Sequence, residues 1–165
     1  MHIIYNRGIG GYETSDLLAS MEACIFELEP SKLIINIGTN DIGSALYTKE
    51  TLIANYDEIL TQIHERLSEC AVYVMACYPA NAKEDFPGVD QSRKKELFKT
   101  RTNQTIREAN EAVKELSKKH GYEFINVNHG LTNDEGNLKA EYTIDGVHFW
   151  PNAYSVILQN MREYL

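Results

Sequence analysis

The stretch KLIINIGTND, residues 32 to 41, joins a short apolar run to a polar turn. The run is rich in isoleucine and lies between a proline and a glycine, which predicts a buried strand over residues 32–38. Asn40 and Asp41 follow that strand directly. A side-chain amide in this place can donate a hydrogen bond into a crevice, but an Asn-Asp turn that caps a helix explains the same residues.

Short apolar runs alternate with longer helical stretches along the whole chain. The predicted strands cover residues 2–5, 32–38, 71–78 and 122–128. The predicted helices cover residues 14–28, 48–70, part of 95–119, and a final stretch from Pro151 to about Tyr164. Thr14 or Ser15 is the predicted N-cap of the first helix. This alternation predicts one α/β domain over residues 1–165, with a parallel sheet covered on both faces and ligands at the carboxyl ends of its strands.

Composition narrows the possible partners and compartments. The 165 residues carry a net charge of -8 and no dense basic cluster, which argues against a nucleic-acid partner. The nearest basic run, SRKK at 92–95, is typical of the solvated start of a helix. Cys24, Cys70 and Cys77 have no metal-like spacing, and their odd number favours reduced thiols and a cytoplasmic location. No apolar run is long enough to span a bilayer.

The motif DGVH, residues 145–148, places an aspartate three residues before a histidine. A histidine that acts as a general base needs a carboxylate on its far ring nitrogen, which fixes the tautomer and the orientation of the ring. Asp145 and His148 could meet that need on one tight turn, with Gly146 allowing the bend. A turn aspartate followed by an exposed histidine is the alternative interpretation.

The segment NRGIGGYET, residues 6–14, has three glycines within four positions. Glycines after a strand free backbone N–H groups to face a ligand, although a plain strand-to-helix turn explains them equally well. The spacing G-x-G-x-x-G of dinucleotide loops is absent, and no other phosphate-binding motif accompanies the segment. A flavodoxin-like nucleotide binder is therefore the weakest of the functional interpretations.

In this order, the segments NRGIGGYET, IINIGTND and YTIDGVHFWPNAY resemble those of the GDSL-type SGNH hydrolases, over essentially the whole chain. The likeness is greatest to the small lipases and acylhydrolases that are similar to platelet-activating-factor acetylhydrolase. It implies a three-layer α/β/α sandwich of the flavodoxin-like SGNH type and hydrolysis of a small-molecule acyl or acetyl ester without metal or cofactor. It also implies roles for four residues. The backbone N–H of Gly11 and the side-chain amide of Asn40 match the oxyanion donors, His148 the general base, and Asp145 its orienting carboxylate.

The family's nucleophile is the serine of a Gly-Asp-Ser motif that ends the first strand, and this motif is absent from the 165 residues. Residues 2–5 would correspond to the family's second strand, so we expect the fold to lack its first strand. Ser44, after GTND, lacks the strand-end placement that nucleophilic attack requires.

Three explanations for the missing motif remain open. The natural protein is longer and carries the serine, or this is a short form that kept the fold as a non-catalytic binding module, or another group supplies the nucleophile. Because the serine is absent from residues 1–165, we expect little or no triad-based activity from these residues alone. Because a missing strand leaves an unpaired sheet edge, we also expect a homodimer or an exchange of elements that covers this edge.

Overall fold

A computed structural model describes residues 3–165 and contains a three-stranded sheet. The strands are β1 (Lys32–Ile35), β2 (Ala71–Met75) and β3 (Glu123–Ile125), in the order β1-β2-β3. Both pairs are parallel, as the alternation of strands and helices predicts. Each strand is shorter than its predicted range, because the residues that follow it bend into the loops at the carboxyl edge.

Six α-helices accompany the strands in the described part of the chain. They are α1 (Thr14–Cys24), α2 (Thr39–Gly43), α3 (Lys49–Arg66), α4 (Gln91–Leu97), α5 (Asn103–Lys119) and α6 (Pro151–Met161). Short 3-10 turns cover Phe26–Leu28, Ala140–Tyr142 and Arg162–Tyr164. The basic run SRKK lies inside α4, and α5 lies within its predicted range. No helix of residues 3–165 is both long and apolar enough to cross a membrane, and all three cysteines are free thiols.

The start of α1 differs from the prediction of Thr14 or Ser15 as its N-cap. Glu13 is the N-cap, and its side chain accepts from the backbone of Asp16 while the Asp16 carboxylate accepts from Glu13 N–H at 2.9 Å. Thr14 is not free to cap the helix, because its hydroxyl and its backbone N–H both donate to the buried carboxylate of Asp41.

Hydrophobic packing covers both faces of the sheet. On one face, α1, α3 and α5 pack against Val72 and Val74 of β2. On the other face, Ala153 and Ile157 of α6 pack against Met75 and the residues around β3. Successive residues of a strand point to opposite faces, so the apolar run in β2 serves both layers. The resulting α/β/α arrangement confirms the predicted fold class.

The prediction of a strand at residues 2–5 is wrong for residues 3–5, and His2 lies outside the described residues. Ile3, Ile4 and Tyr5 form no strand, and their exposed fractions are 70%, 80% and 60%. A strand needs a neighbour for its backbone hydrogen bonds. Among residues 3–165, β1 pairs only with β2, so its outer edge is unpaired. The apolar residues at the start of the described chain therefore do not pair with β1.

Candidate active site

Asp145 and His148 lie on one tight turn that is closed by a short antiparallel bridge between Thr143 and Phe149. Gly146 has a φ of +91°, and a Cβ there would collide with the carbonyl oxygen of Asn81. The same two residues are joined by a hydrogen bond from Asn81 N–H to Gly146 O of 2.8 Å. The turn therefore requires glycine and is held against the loop that follows β2.

The carboxylate of Asp145 is buried and fully engaged, with 4% of the residue exposed. Its Oδ1 accepts from the backbone N–H groups of Val147 and His148 at 3.0 and 2.9 Å, and its Oδ2 contacts Nδ1 of His148 at 2.8 Å. Burial alone would raise the pKa of Asp145. The hydrogen bonds from His148 and Val147 outweigh burial and hold the pKa below its usual value. Asp145 is therefore a carboxylate at neutral pH.

His148 presents its other ring nitrogen to solvent. A carboxylate only accepts hydrogen bonds, so Nδ1 donates to Asp145, and in a neutral imidazole the lone pair then lies on Nε2. The side chain of His148 is 67% exposed, and no group of residues 3–165 hydrogen bonds to Nε2. The structure thus brings together the predicted base and its orienting carboxylate. The alternative interpretation, a turn aspartate followed by an exposed histidine, fits the same positions, because Asp145 accepts from two N–H groups of the turn and His148 is exposed.

Asn40 lies in the first turn of α2 and does not cap that helix, whose N-cap is Gly38. Its Nδ2 donates a hydrogen bond of 2.9 Å to the carbonyl oxygen of Tyr12. An amide carries two N–H bonds, so this contact fixes the side chain and leaves the second N–H for a ligand. Tyr12 follows Gly11, whose φ of +85° lies in the region that favours glycine. The two predicted oxyanion residues are therefore neighbours in space.

Sequence reasoning missed the buried carboxylate that joins these two segments. Asp41 is 7% exposed and accepts from Thr14 N–H at 3.1 and 3.0 Å, and also from the Thr14 hydroxyl. Asn55 of α3 donates to the same hydroxyl at 2.9 Å. The only available signal was a second polar residue directly after Asn40. This network holds the glycine segment on the turn that follows β1.

A cavity of about 450 Å³ lies beside Gly11 and Asn40. Ser44 and Arg101 also line this cavity, which we call the oxyanion cavity, whereas Asp145 and His148 do not. Arg101 donates to Thr39 O through Nε and Nη2 at 3.3 and 3.0 Å. Burial lowers the pKa of Arg101, and the nearby Asp145 carboxylate opposes that effect. Arg101, which sequence reasoning also missed, thus borders both halves of the site.

The imidazole of His148 can transfer protons, and the amide of Asn40 can donate hydrogen bonds. No group of three or more His, Cys, Asp or Glu side chains that could hold a metal occurs among residues 3–165. Burial raises the pKa of Cys77, after β2, to about 11, so this thiol is protonated at neutral pH.

Comparison with known proteins supports the fold. A structure from Streptococcus pneumoniae, described as a platelet activating factor, matches with a TM-score of 0.84 and 28% identity, over 97% of this chain and 71% of its own. A GDSL-like lipase from Bacteroides thetaiotaomicron matches with a TM-score of 0.76 and 22% identity, over 95% and 72% of the two chains. At that identity the second match supports the fold alone.

The sequence also matches a curated protein and a protein family. The chain is 26% identical over 131 residues to N-acylneuraminate cytidylyltransferase of Escherichia coli strain RS218, and the match covers 79% of this chain but 27% of that protein. The chain thus spans about a quarter of the length of this relative. Residues 1–156 match the GDSL-like Lipase/Acylhydrolase family. With the family's fold in place, this match shows that the chain belongs to the GDSL-like lipase/acylhydrolase family.

Proposed function

We propose that this chain carries the acid–base pair and the oxyanion donors of a serine-type ester hydrolase. The observation that supports this proposal most strongly is the contact between Asp145 and His148. A buried carboxylate holds Nδ1 of the ring, and Nε2 is left facing solvent as a base. The proposed substrate is a small-molecule acyl or acetyl ester.

In the proposed reaction, Nε2 of His148 removes the proton of a serine hydroxyl while the serine oxygen attacks the ester carbonyl. Asp145 stabilises the imidazolium that forms. Gly11 N–H and the free N–H of Asn40 donate to the oxyanion. The intermediate then expels the alcohol, which takes the proton from His148. Water attacks the acyl-enzyme with His148 again as the base, and this step releases the acid and the serine.

The serine is the component that the sequence does not supply in its family position, because no Gly-Asp-Ser occurs in the 165 residues. Ser44 lines the oxyanion cavity, but its Oγ contacts Leu46 N–H at 3.4 Å rather than His148. We therefore propose that residues 1–165 alone have little or no triad-based esterase activity. The measurement is hydrolysis of p-nitrophenyl acetate by the purified chain and by its His148→Ala variant. Brisk hydrolysis by the purified chain that is abolished in His148→Ala would overturn this proposal. If Ser44→Ala also abolished that hydrolysis, Ser44 would be identified as the nucleophile.

A gain of activity tests the roles of the remaining residues. An apolar strand that ends in Gly-Asp-Ser is joined ahead of Met1, and the matched control ends in Gly-Asp-Ala. We expect hydrolysis that requires both this serine and His148. If the protein with Gly-Asp-Ser folds but is no more active than the control with Gly-Asp-Ala, the assigned acid–base pair and oxyanion donors are wrong.

The alternative function is a non-catalytic binding module, in which the oxyanion cavity holds a ligand carbonyl or carboxylate. The cavity of about 450 Å³ beside Gly11 and Asn40 supports this alternative. Reading the DNA upstream of Met1 in frame discriminates between the two. A Gly-Asp-Ser after an apolar run supports the hydrolase, and a stop codon supports the binding module. The intact mass of the native protein addresses the same question.

We also propose that a second copy of the chain covers the outer edge of β1. Unpaired backbone groups at a sheet edge favour pairing with another strand, and exposed Ile3 and Ile4 add apolar surface to the protein. Sedimentation velocity is the measurement, and we expect a dimer. A monodisperse monomer with a cooperative thermal transition would contradict the proposed dimer.

A further inference from the structure

The oxyanion cavity contains one strongly buried cation. Arg101 lines the cavity with Gly11 and Asn40, and only 6% of the arginine is exposed. Buried charged groups are normally paired with an opposite charge, because removing a charge from water is costly. The partners of Arg101 therefore indicate which charge a ligand of the cavity would need to carry.

Backbone carbonyl groups are the protein partners of Arg101. Nε and Nη2 share Thr39 O, and Nη1 reaches Leu97 O at 3.4 Å. A guanidinium has five N–H donors, so these contacts leave part of its capacity unused. No carboxylate of residues 3–165 forms an ion pair with Arg101. Its hydrogen bonds are partly satisfied, and its charge is not neutralised by direct contact.

The other charged groups around the cavity do not supply the missing anion. Arg93 and Glu96 are both exposed on α4, where they have opposite signs and are solvated. The side chain of Glu13 accepts a hydrogen bond from the first turn of α1. Asp145 is near enough to influence the pKa of Arg101, but its oxygens are already engaged by His148 and Val147. The buried wall of the cavity is therefore cationic.

We propose that the oxyanion cavity recognises an ester that also carries a carboxylate. The substrate carboxylate lies against Arg101 while the ester carbonyl lies at Gly11 and Asn40. Arginine suits this role because its planar fork can donate two parallel hydrogen bonds to a carboxylate. This inference rests on the proposed function, because it assigns the substrate class of the same site.

Binding of two matched esters tests the inference without requiring activity. Monomethyl succinate carries an ester and a carboxylate, and dimethyl succinate is its neutral counterpart. Each is titrated into the ¹⁵N-labelled chain while the signals of Gly11 N–H and the Asn40 side-chain amide are followed. We expect the anionic ester to bind about 10-fold more tightly than the neutral ester, as for a charge-assisted contact.

Three variants identify the cation that is responsible. Arg101→Gln should abolish the preference for the anionic ester, and Arg101→Lys should retain a preference because the charge remains. Arg107→Gln removes an exposed arginine of α5 outside the cavity and should leave the preference unchanged. If Arg101→Gln does not fold, the inference is tested by comparing the binding of the two esters to the wild type and to Arg101→Lys.

The outcomes separate this inference from the proposed function. Equal binding of both esters at Gly11 and Asn40, or a preference that persists in folded Arg101→Gln, overturns the carboxylate inference alone. If neither ester perturbs these two amides, the oxyanion assignment fails, and the carboxylate inference fails with it.

Discussion

Residues 3–165 contain two Asp–His pairs that form the same kind of contact but differ in burial. In the first pair, Asp145 is buried and His148 is exposed, with 2.8 Å between Oδ2 and Nδ1. In the second pair, Nε2 of His120 lies 2.6 Å from Oδ1 of Asp57, and here the histidine side chain is only 11% exposed. The aspartate is thus the more buried residue of the first pair, and the histidine is the more buried residue of the second.

The difference in burial accompanies a difference in location. His120 ends α5 and Asp57 belongs to α3, so their contact joins two helices, and Lys119 adds a second bond to the same carboxylate at 2.9 Å. The His120 ring also stacks on Tyr122. His148, in contrast, lies on a loop at the carboxyl edge of the sheet and presents a free ring nitrogen. An Asp–His contact indicates acid–base chemistry only when the histidine can reach a substrate.

The largest expected difference between the pairs is catalytic. In the form that carries an added Gly-Asp-Ser, His148→Ala should lower kcat by about 10⁴-fold or more, because the serine loses its base. His120→Ala should leave kcat within about twofold, since His120 lies outside the site. The measurement is p-nitrophenyl acetate hydrolysis by folded variants. Equal losses in the two variants would remove the functional distinction.

A smaller effect is expected at the oxyanion donor. Asn40→Ala in the same active form should lower kcat by about 100-fold, because one donor to the oxyanion is lost. The control is Asn152→Ala, which removes an exposed amide that bonds to Glu141 O near the start of α6. Unchanged turnover in Asn40→Ala would show that Asn40 only holds the carbonyl of Tyr12.

For stability, we expect the larger effect in the His120 variant and the smaller effect in the His148 variant. His120→Ala should lower the free energy of unfolding by about 1 kcal/mol, because it removes a partly buried bond between helices. His148→Ala should change it by less than about 0.5 kcal/mol, since water can replace an exposed ring. Urea unfolding of the 165-residue chain measures both values. A greater loss in His148→Ala would give the loop pair the structural role.

The smallest expected effect is on the pH dependence of stability. Hydrogen bonds hold the pKa of Asp145 below its usual value, and the bond from His120, with that from Lys119, lowers the pKa of Asp57. A lowered carboxyl pKa contributes stability that is present above the unfolded pKa of about 3.9 and is lost as pH falls through the folded pKa.

Asparagine variants test this sign. Asp145→Asn should therefore lose less stability than the wild type between pH 6 and pH 3, as measured by urea unfolding at the two values. Asp57→Asn should show a weaker change in the same direction, because solvent screens its more exposed carboxylate. A steeper loss on acidification in Asp145→Asn would contradict the assigned direction of its pKa.

Particular residues show how far sequence reasoning reached. The parallel sheet followed from the alternation of apolar runs and helices, and the Asp145–His148 contact followed from spacing within one tight turn. Both are local signals. Arg101 and the link from Asp41 to Thr14 were missed, because each joins residues that are far apart in sequence. The strand predicted at residues 2–5 failed at residues 3–5 because a strand depends on a partner, which apolar composition does not provide.

The sequence alone determined the alternation of strands and helices, the family resemblance and the pairing of aspartate with histidine, since the apolar runs, the order of the motifs and the spacing within one turn can all be read along the chain. Only the tertiary structure decided which Asp–His pair faces solvent and where a buried arginine meets the cavity. Burial and the meeting of distant loops depend on how helices pack on the sheet. That packing depends on many weak contacts between residues that are distant in sequence, and no single motif specifies it.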